Sequence, residues 1–185
     1  MSPTIVNYNS VMNGLCKKGK LEAADNLLQQ ISDISLVPDK ITYNCLIHGF
    51  CNAGKISKSL DYYESMKKSG IKPFLSTYHA LIMGCSKIGL SEVDKIYKEM
   101  LNLNLTPDRT VYNALIDSHA EHQNIEKLMS LFNEMKKKEI EVDKMTYNSL
   151  IMGNFKVVDK TKIVDLVQDM KARGLVPKED TYTLL

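Results

Sequence analysis

The chain has 185 residues, of which 44% are apolar and 25% charged, a composition that supplies a folded core and excludes an intrinsically disordered chain. A formal charge of +2 is too small to hold nucleic acid by bulk electrostatics, so any such role must rest on where individual side chains point. No apolar run approaches the roughly 18 residues that a membrane span needs, so no membrane partner is expected.

Read in order, the chain is one unit copied about five times. Tyr8, Tyr43, Tyr78, Tyr112, Tyr147 and Tyr182 follow one another at spacings of 35, 35, 34, 35 and 35. Ile31, Met66, Met100, Met135 and Met170 keep the same beat, and Pro38, Pro73, Pro107 and Pro177 close units, with Val142 in the fourth. A fixed period of this length means a stacked repeat. The units are set at 5–39, 40–74, 75–108, 109–143 and 144–178, with a sixth begun at 179–185.

Each unit predicts two helices. The first carries a stripe at i, i+3, i+4, i+7: Tyr8, Val11, Met12 and Leu15, then Tyr43, Leu46, Ile47 and Phe50, then Tyr78, Leu81, Ile82 and Cys85. It shortens to Tyr112, Leu115 and Ile116, then Tyr147, Leu150 and Ile151. The second stripe runs through Ser59, Tyr62, Tyr63 and Met66 and returns in later units as Val93 to Met100, Leu128 to Met135 and Ile163 to Met170. All of these are expected in the core. Gly19, Gly54 and Gly89 mark the turn between the helices, where glycine tolerates the left-handed conformation; Gln123 and Val158 stand there in units four and five. Lysines such as Lys67, Lys68 and Lys136 to Lys138 fall in last turns, where cations complement the helix dipole.

One helix pair cannot bury its own apolar faces, so stacking on neighbours must supply the core. The expected fold is all-α, a right-handed superhelical α-solenoid of antiparallel helix-turn-helix repeats. Cys16, Cys45, Cys51 and Cys85 read as buried free thiols rather than a disulfide framework. Neither a signal peptide nor a transit segment opens the chain, which reads as a piece cut from a longer array. An uncapped end repeat exposes apolar surface, so self-association is expected.

Cys45, His48 and Cys51 lack the paired spacings of a zinc site, and His119 with His122 reads as solvated or core histidine. No phosphate loop, HExxH or deaminase motif occurs. The reading is therefore of no catalytic residue, no metal and no cofactor.

The strings TYNCLIHGFCNAGKI, VYNALIDSH and MTYNSLIMG, with KPF, TPD and VPK at unit ends, resemble the pentatricopeptide repeat family, P type, over essentially all of residues 5–185. The tetratricopeptide repeat fits less well, since its tryptophan landmark is missing from a chain with no tryptophan. The resemblance implies single-stranded RNA as partner, about one base per repeat, in organellar RNA processing, stability, splicing or translation, in a mitochondrion or chloroplast. It implies base-reading side chains at the fifth and last positions of each unit: Asn9 with Asp39, Asn44 with Phe74, His79 with Asp108, Asn113 with Asp143, and Asn148 with Lys178. It implies base packing by the second residues, Val6, Ile41, Ser76, Thr110 and Met145. Asparagine with aspartate resembles a uracil-preferring pair, giving U at repeats one and four, and asparagine alone suggests a pyrimidine at two and five. Lys17, Lys87 and Lys156 share one register and are candidate phosphate contacts, although Asn52 and Glu121 hold that register elsewhere.

In repeat two, Ile41, Asn44, His48 and Cys51 form a second stripe that adjacent units would align along one face. Two bland readings stay open beside this one. The asparagines can serve the local backbone, and Asp39, Asp108 and Asp143 can cap the helices that follow them. A helical scaffold for protein partners, without RNA readout, is the alternative function.

Overall fold

A computed structural model describes residues 3–156, 160–178 and 181. Among them are ten helices and no strand, in strict alternation: α1 (Ile5–Lys17), α2 (Leu21–Asp33), α3 (Lys40–Asn52), α4 (Ile56–Lys68), α5 (Leu75–Cys85), α6 (Leu90–Asn102), α7 (Arg109–Glu121), α8 (Ile125–Lys137), α9 (Lys144–Lys156) and α10 (Lys160–Ala172). This is an all-α helical-repeat solenoid. Val158, Tyr182 and most of the sixth repeat lie outside the described residues.

The chain forms two compact units. The first comprises 1–85 with 96–105, and the second 86–95 with 106–185. In the first, α1 packs on α2 and α3, and α3 packs on α4 and α5; in the second, α7 packs on α8 and α9, and α9 on α10. The rule is the same in both: a first helix meets its own partner and the first helix of the next repeat. The second helix also touches that next first helix, as α2 does α3 and α8 does α9.

The predicted stripes supply these contacts. Leu46, Ile47, Leu81, Ile82, Leu115, Ile116 and Leu150 are wholly buried, as are Ile31, Met66, Met100, Met135 and Met170 at the second-helix ends. At the rough rate of 25 cal/mol per Å² of apolar surface, such side chains each contribute about 1.5–3 kcal/mol. Repeat one departs from the pattern. Val11 is 54% exposed, whereas Leu46, Leu81, Leu115 and Leu150 at the equivalent position are wholly buried.

Turn chemistry closes each helix. Gly19 and Gly54 adopt φ of +68° and +72°, and Gln123 takes the same left-handed conformation at +58°. The bonds around Gln123 match those around Gly19: the Asn124 N–H donates to His119 O at 2.9 Å, as Lys20 does to Leu15 O at 3.0 Å. Repeat four therefore makes the same stop without glycine. In the connection between α2 and α3, Asp39 accepts from the backbone N–H groups of Ile41 and Thr42, both at 2.9 Å, and starts α3.

Candidate nucleic-acid interface

The first helix of each repeat begins with a Thr-Tyr-Asn or similar run, and its geometry sets the site. The tyrosine points into the core, fully buried at Tyr78, Tyr112 and Tyr147. The residues flanking it on the helix therefore turn elsewhere: the third inward to the junction between repeats, the fifth toward the open side.

At the junction of repeats four and five, Asn113 Nδ2 donates to both carboxylate oxygens of Asp143 at 3.2 Å, and the Thr146 hydroxyl donates to Asn113 Oδ1 at 2.6 Å. The junction of repeats one and two repeats the arrangement, with Asn9 Nδ2 donating to Asp39 Oδ1 at 3.0 Å and Thr42 Oγ1 donating to Asn9 Oδ1 at 2.7 Å. Between repeats two and three, Thr77 donates to Asn44 Oδ1 at 3.0 Å, while Phe74 offers no carboxylate. The predicted pairs Asn9 with Asp39 and Asn113 with Asp143 are thus brought into direct contact.

Both aspartates also cap helices, since Asp143 accepts from the Thr146 N–H at 3.0 Å as Asp39 does from that of Thr42. Desolvation works against their charge. Bonds from the threonine backbone N–H and from the asparagine amide outweigh it, aided at Asp143 by Arg109, and hold both carboxyls below the usual aspartate range. Each is an anion at neutral pH. Asp108 is exposed and caps α7 through the Val111 N–H at 3.0 Å.

Exposure differs among the fifth residues. Asn44, His79, Asn113 and Asn148 are half-buried, whereas Asn9 is only 6% exposed. Asp39 and Thr42 take both ends of the Asn9 amide. The second residues stand clear of the core, with Val6 and Met145 each 67% and Ile41 49% exposed; Thr110 is exposed and Ser76 half-buried.

Two grooves open beside these residues. One, of about 320 Å³, is lined by Asn44, His48, Lys17, Cys16, Cys45 and Ser76 among others. The other, of about 390 Å³, is lined by Asn148, Met145, Met152, Asp117, Lys156 and Lys178 among others. They occupy equivalent places in different repeats. His48 Nε2 lies 2.9 Å from the Ser76 carbonyl, so that nitrogen carries the proton and donates. Desolvation first, and then His79, depress the His48 pKa, so the ring is neutral at pH 7.

Several side chains sit differently from expectation. Cys51 leaves the groove stripe: its thiol is buried, donates to Ser59 Oγ at 3.2 Å and lies against Gly84 of the next repeat. Conversely, Cys16 and Cys45 are half-buried groove residues rather than core thiols. All four cysteines are free. Lys17, Lys87 and Lys156 are exposed, and Lys156 Nζ lies 3.4 Å from the Glu121 carbonyl. Lys178, in the place of an aspartate, lines the second groove. The ninth residues Asn13, Asp117 and Met152 line the grooves without having been singled out. The step from fifth to ninth residue along a helix was the signal for them. Among the described residues no cluster of three or more His, Cys, Asp or Glu side chains is arranged to hold a metal ion.

Repeated helix pairs, with the Asn–Asp–Thr trio at the junctions of repeats one with two and four with five, define a helical-repeat protein of the solenoid class. The chain belongs to the PPR repeat family: the PPR repeat family model matches residues 3–52, 38–87 and 107–156, and the PPR repeat model matches 76–105 and 145–175. None of the curated proteins matches it in sequence. Among solved structures it is similar to the pentatricopeptide repeat protein PPR10 from maize, with TM-score 0.85 and 23% identity over 98% of this chain and 26% of that one. PPR10 in complex with an 18-nt psaJ RNA element gives TM-score 0.80 and 20% identity over 98% and 27%. The PPR domain of Arabidopsis thaliana protein-only RNase P 1 in complex with tRNA gives TM-score 0.80 and 14% identity over 95% and 93%. The chain spans about a quarter of the length of maize PPR10.

Proposed function

We propose that this chain binds single-stranded RNA in a base-selective manner, about one nucleotide per repeat, and does no chemistry on it. The observation that carries the reading is the Asn113–Asp143 contact, with the amide half-exposed beside an ionised carboxylate. An N–H donor next to an anionic acceptor complements the carbonyl and N3–H of uracil. Cytosine carries an acceptor at N3, which the carboxylate repels. Repeat four is therefore the uracil reader, and repeat one carries the same groups with the amide covered. Repeats two and five keep Asn44 and Asn148 without a carboxylate at Phe74 or Lys178, which leaves pyrimidine selection without a penalty against cytosine. Ile41 and Met145, exposed at second positions, supply apolar faces on which a base can lie. That RNA complexes of similar folds exist supports the reading. By family resemblance the work is RNA processing, stability, splicing or translation in a mitochondrion or chloroplast.

The test is a gel-shift series with oligomers carrying U, C or A at the nucleotide aligned with repeat four. N113A and D143N should each lower the U-over-C affinity ratio by roughly ten-fold, the scale of a lost two-bond base contact. Asparagine still caps a helix, so D143N removes the charge while leaving α9 started. Equal affinity of the wild-type chain for U-, C- and A-rich oligomers would favour the protein scaffold instead.

A further inference from the structure

We infer that a threonine at the third position of the following repeat is a positioning residue for base selection, holding the oxygen end of the fifth-residue amide so that its N–H end keeps a fixed aim. This rests on the RNA reading above. The observation is threefold, since Thr42, Thr77 and Thr146 donate to Asn9, Asn44 and Asn113 at 2.7, 3.0 and 2.6 Å, and all three threonines are wholly buried.

Proton accounting makes the orientation unique. The Thr146 hydroxyl accepts from the Asp143 backbone N–H at 3.3 Å and has one proton to give. Two acceptors lie within reach, Asn113 Oδ1 at 2.6 Å and Asp143 Oδ1 at 3.1 Å. Asp143 Oδ1 already accepts from the Thr146 N–H and from the asparagine amide, so the proton goes to the shorter contact. A carboxylate can only accept, which obliges Asn113 to turn its NH₂ toward Asp143 and its oxygen toward Thr146. The second N–H of the amide is then the group left for a base. Without the hydroxyl, Asn113 Oδ1 loses its donor and the amide is tethered by the carboxylate alone, so the aim of that second N–H is no longer fixed and donor selection weakens.

The sequence itself varies with this arrangement. Where the third residue is Val111, the fifth residue of the preceding repeat is His79, which needs no amide orientation; wherever it is threonine in repeats two, three and five, the preceding fifth residue is asparagine. Val111 is also fully buried and its N–H still donates to Asp108, so valine packs at this position without loss of the helix start.

T146V is therefore the informative variant, with T146S as its control. We expect T146V to lower the U-over-C ratio at the nucleotide aligned with repeat four about five-fold, the scale of one hydrogen bond, and T146S to keep it. Side-chain amide NMR without RNA is the second measurement: the Asn113 NH₂ protons should exchange with solvent faster in T146V than in wild type. A T146V protein that keeps the wild-type ratio and exchange rate overturns the inference and leaves the RNA reading standing. A T146S protein as unselective as T146V overturns it too. Wild-type indifference to the base, with T146V amide exchange accelerated as expected, overturns selection by this residue together with the RNA reading and leaves only its structural part.

Discussion

At the residue scale, His119 is the least accommodated side chain. It is the eleventh residue of repeat four, where Leu15, Phe50 and Cys85 stand in repeats one to three. It is wholly buried, neither ring nitrogen makes a hydrogen bond among the described residues, and Asp94 Oδ1 lies 3.5 Å from Nε2, too far for a strong one. Desolvation pushes its pKa below the ordinary histidine value, Asp94 opposes this, and Lys127 and His122 add to it. The unfolded chain then takes up a proton before the folded one does. Stability is complete above the ordinary histidine pKa of about 6.5 and falls as the pH drops below it. H119L should raise the stability in urea by about 1–3 kcal/mol at neutral pH, by removing buried polar atoms without partners. It should also flatten the loss between about pH 7.5 and pH 5.5, where histidine titrates. Parallel pH profiles for the two proteins would show that His119 is not the group responsible. The sequence could not place this residue, because one histidine on an apolar stripe reads equally as solvent-facing or buried.

At the scale of elements, α3 lies close on α1, α5 on α3 and α9 on α7 because the tenth residue of the later helix is glycine: Gly49, Gly84 and Gly153. A Cβ at Gly84 would sit 2.8 Å from Cys51 Sγ and 3.1 Å from Ile56 Cδ1. At Gly153 it would sit 2.9 Å from Leu128 Cδ1 and 3.2 Å from Ala120 Cβ. G84A is therefore expected to destabilise the protein by about 1–3 kcal/mol despite alanine's better helix propensity, as overpacked cores do. Adding C51A removes the nearer atom and should recover part of that loss in thermal or urea unfolding. A stabilised G84A would mean that α3 and α5 separate freely. The starts of α3, α5, α7 and α9 were legible because the tyrosine recurs in all four, with proline ahead of α3, α5 and α7 and a capping aspartate ahead of α3, α7 and α9. These glycines recur as regularly, but a reading that follows large apolar side chains passes over positions that matter by being empty.

For the whole molecule, copies of one unit test each other, and the all-α repeat fold was therefore legible from the sequence. What it hid depends on neighbours that one repeat's pattern does not encode: the cover over Asn9, the turn of Cys51 into the core, and the bare flank of Val11. The same distinction separates contact from long-range charge. A net charge of +2 gives little long-range attraction for RNA, so on the proposed function the phosphate contribution must come from a few placed cations. Lys17, Lys87 and Lys156 are exposed in one register, and Lys17 and Lys156 each line a groove that also holds a fifth-residue asparagine. Each phosphate neutralised on a single strand contributes a slope of about −0.7 to log K against log salt, so three lysines predict a slope of about −2. Replacing all three by glutamine should bring the slope close to zero while leaving the U-over-C ratio at repeat four unchanged, since phosphate contacts carry no base information. An unchanged slope would assign the phosphate contacts to other cations, whereas a lost ratio would mean that these lysines hold the base itself.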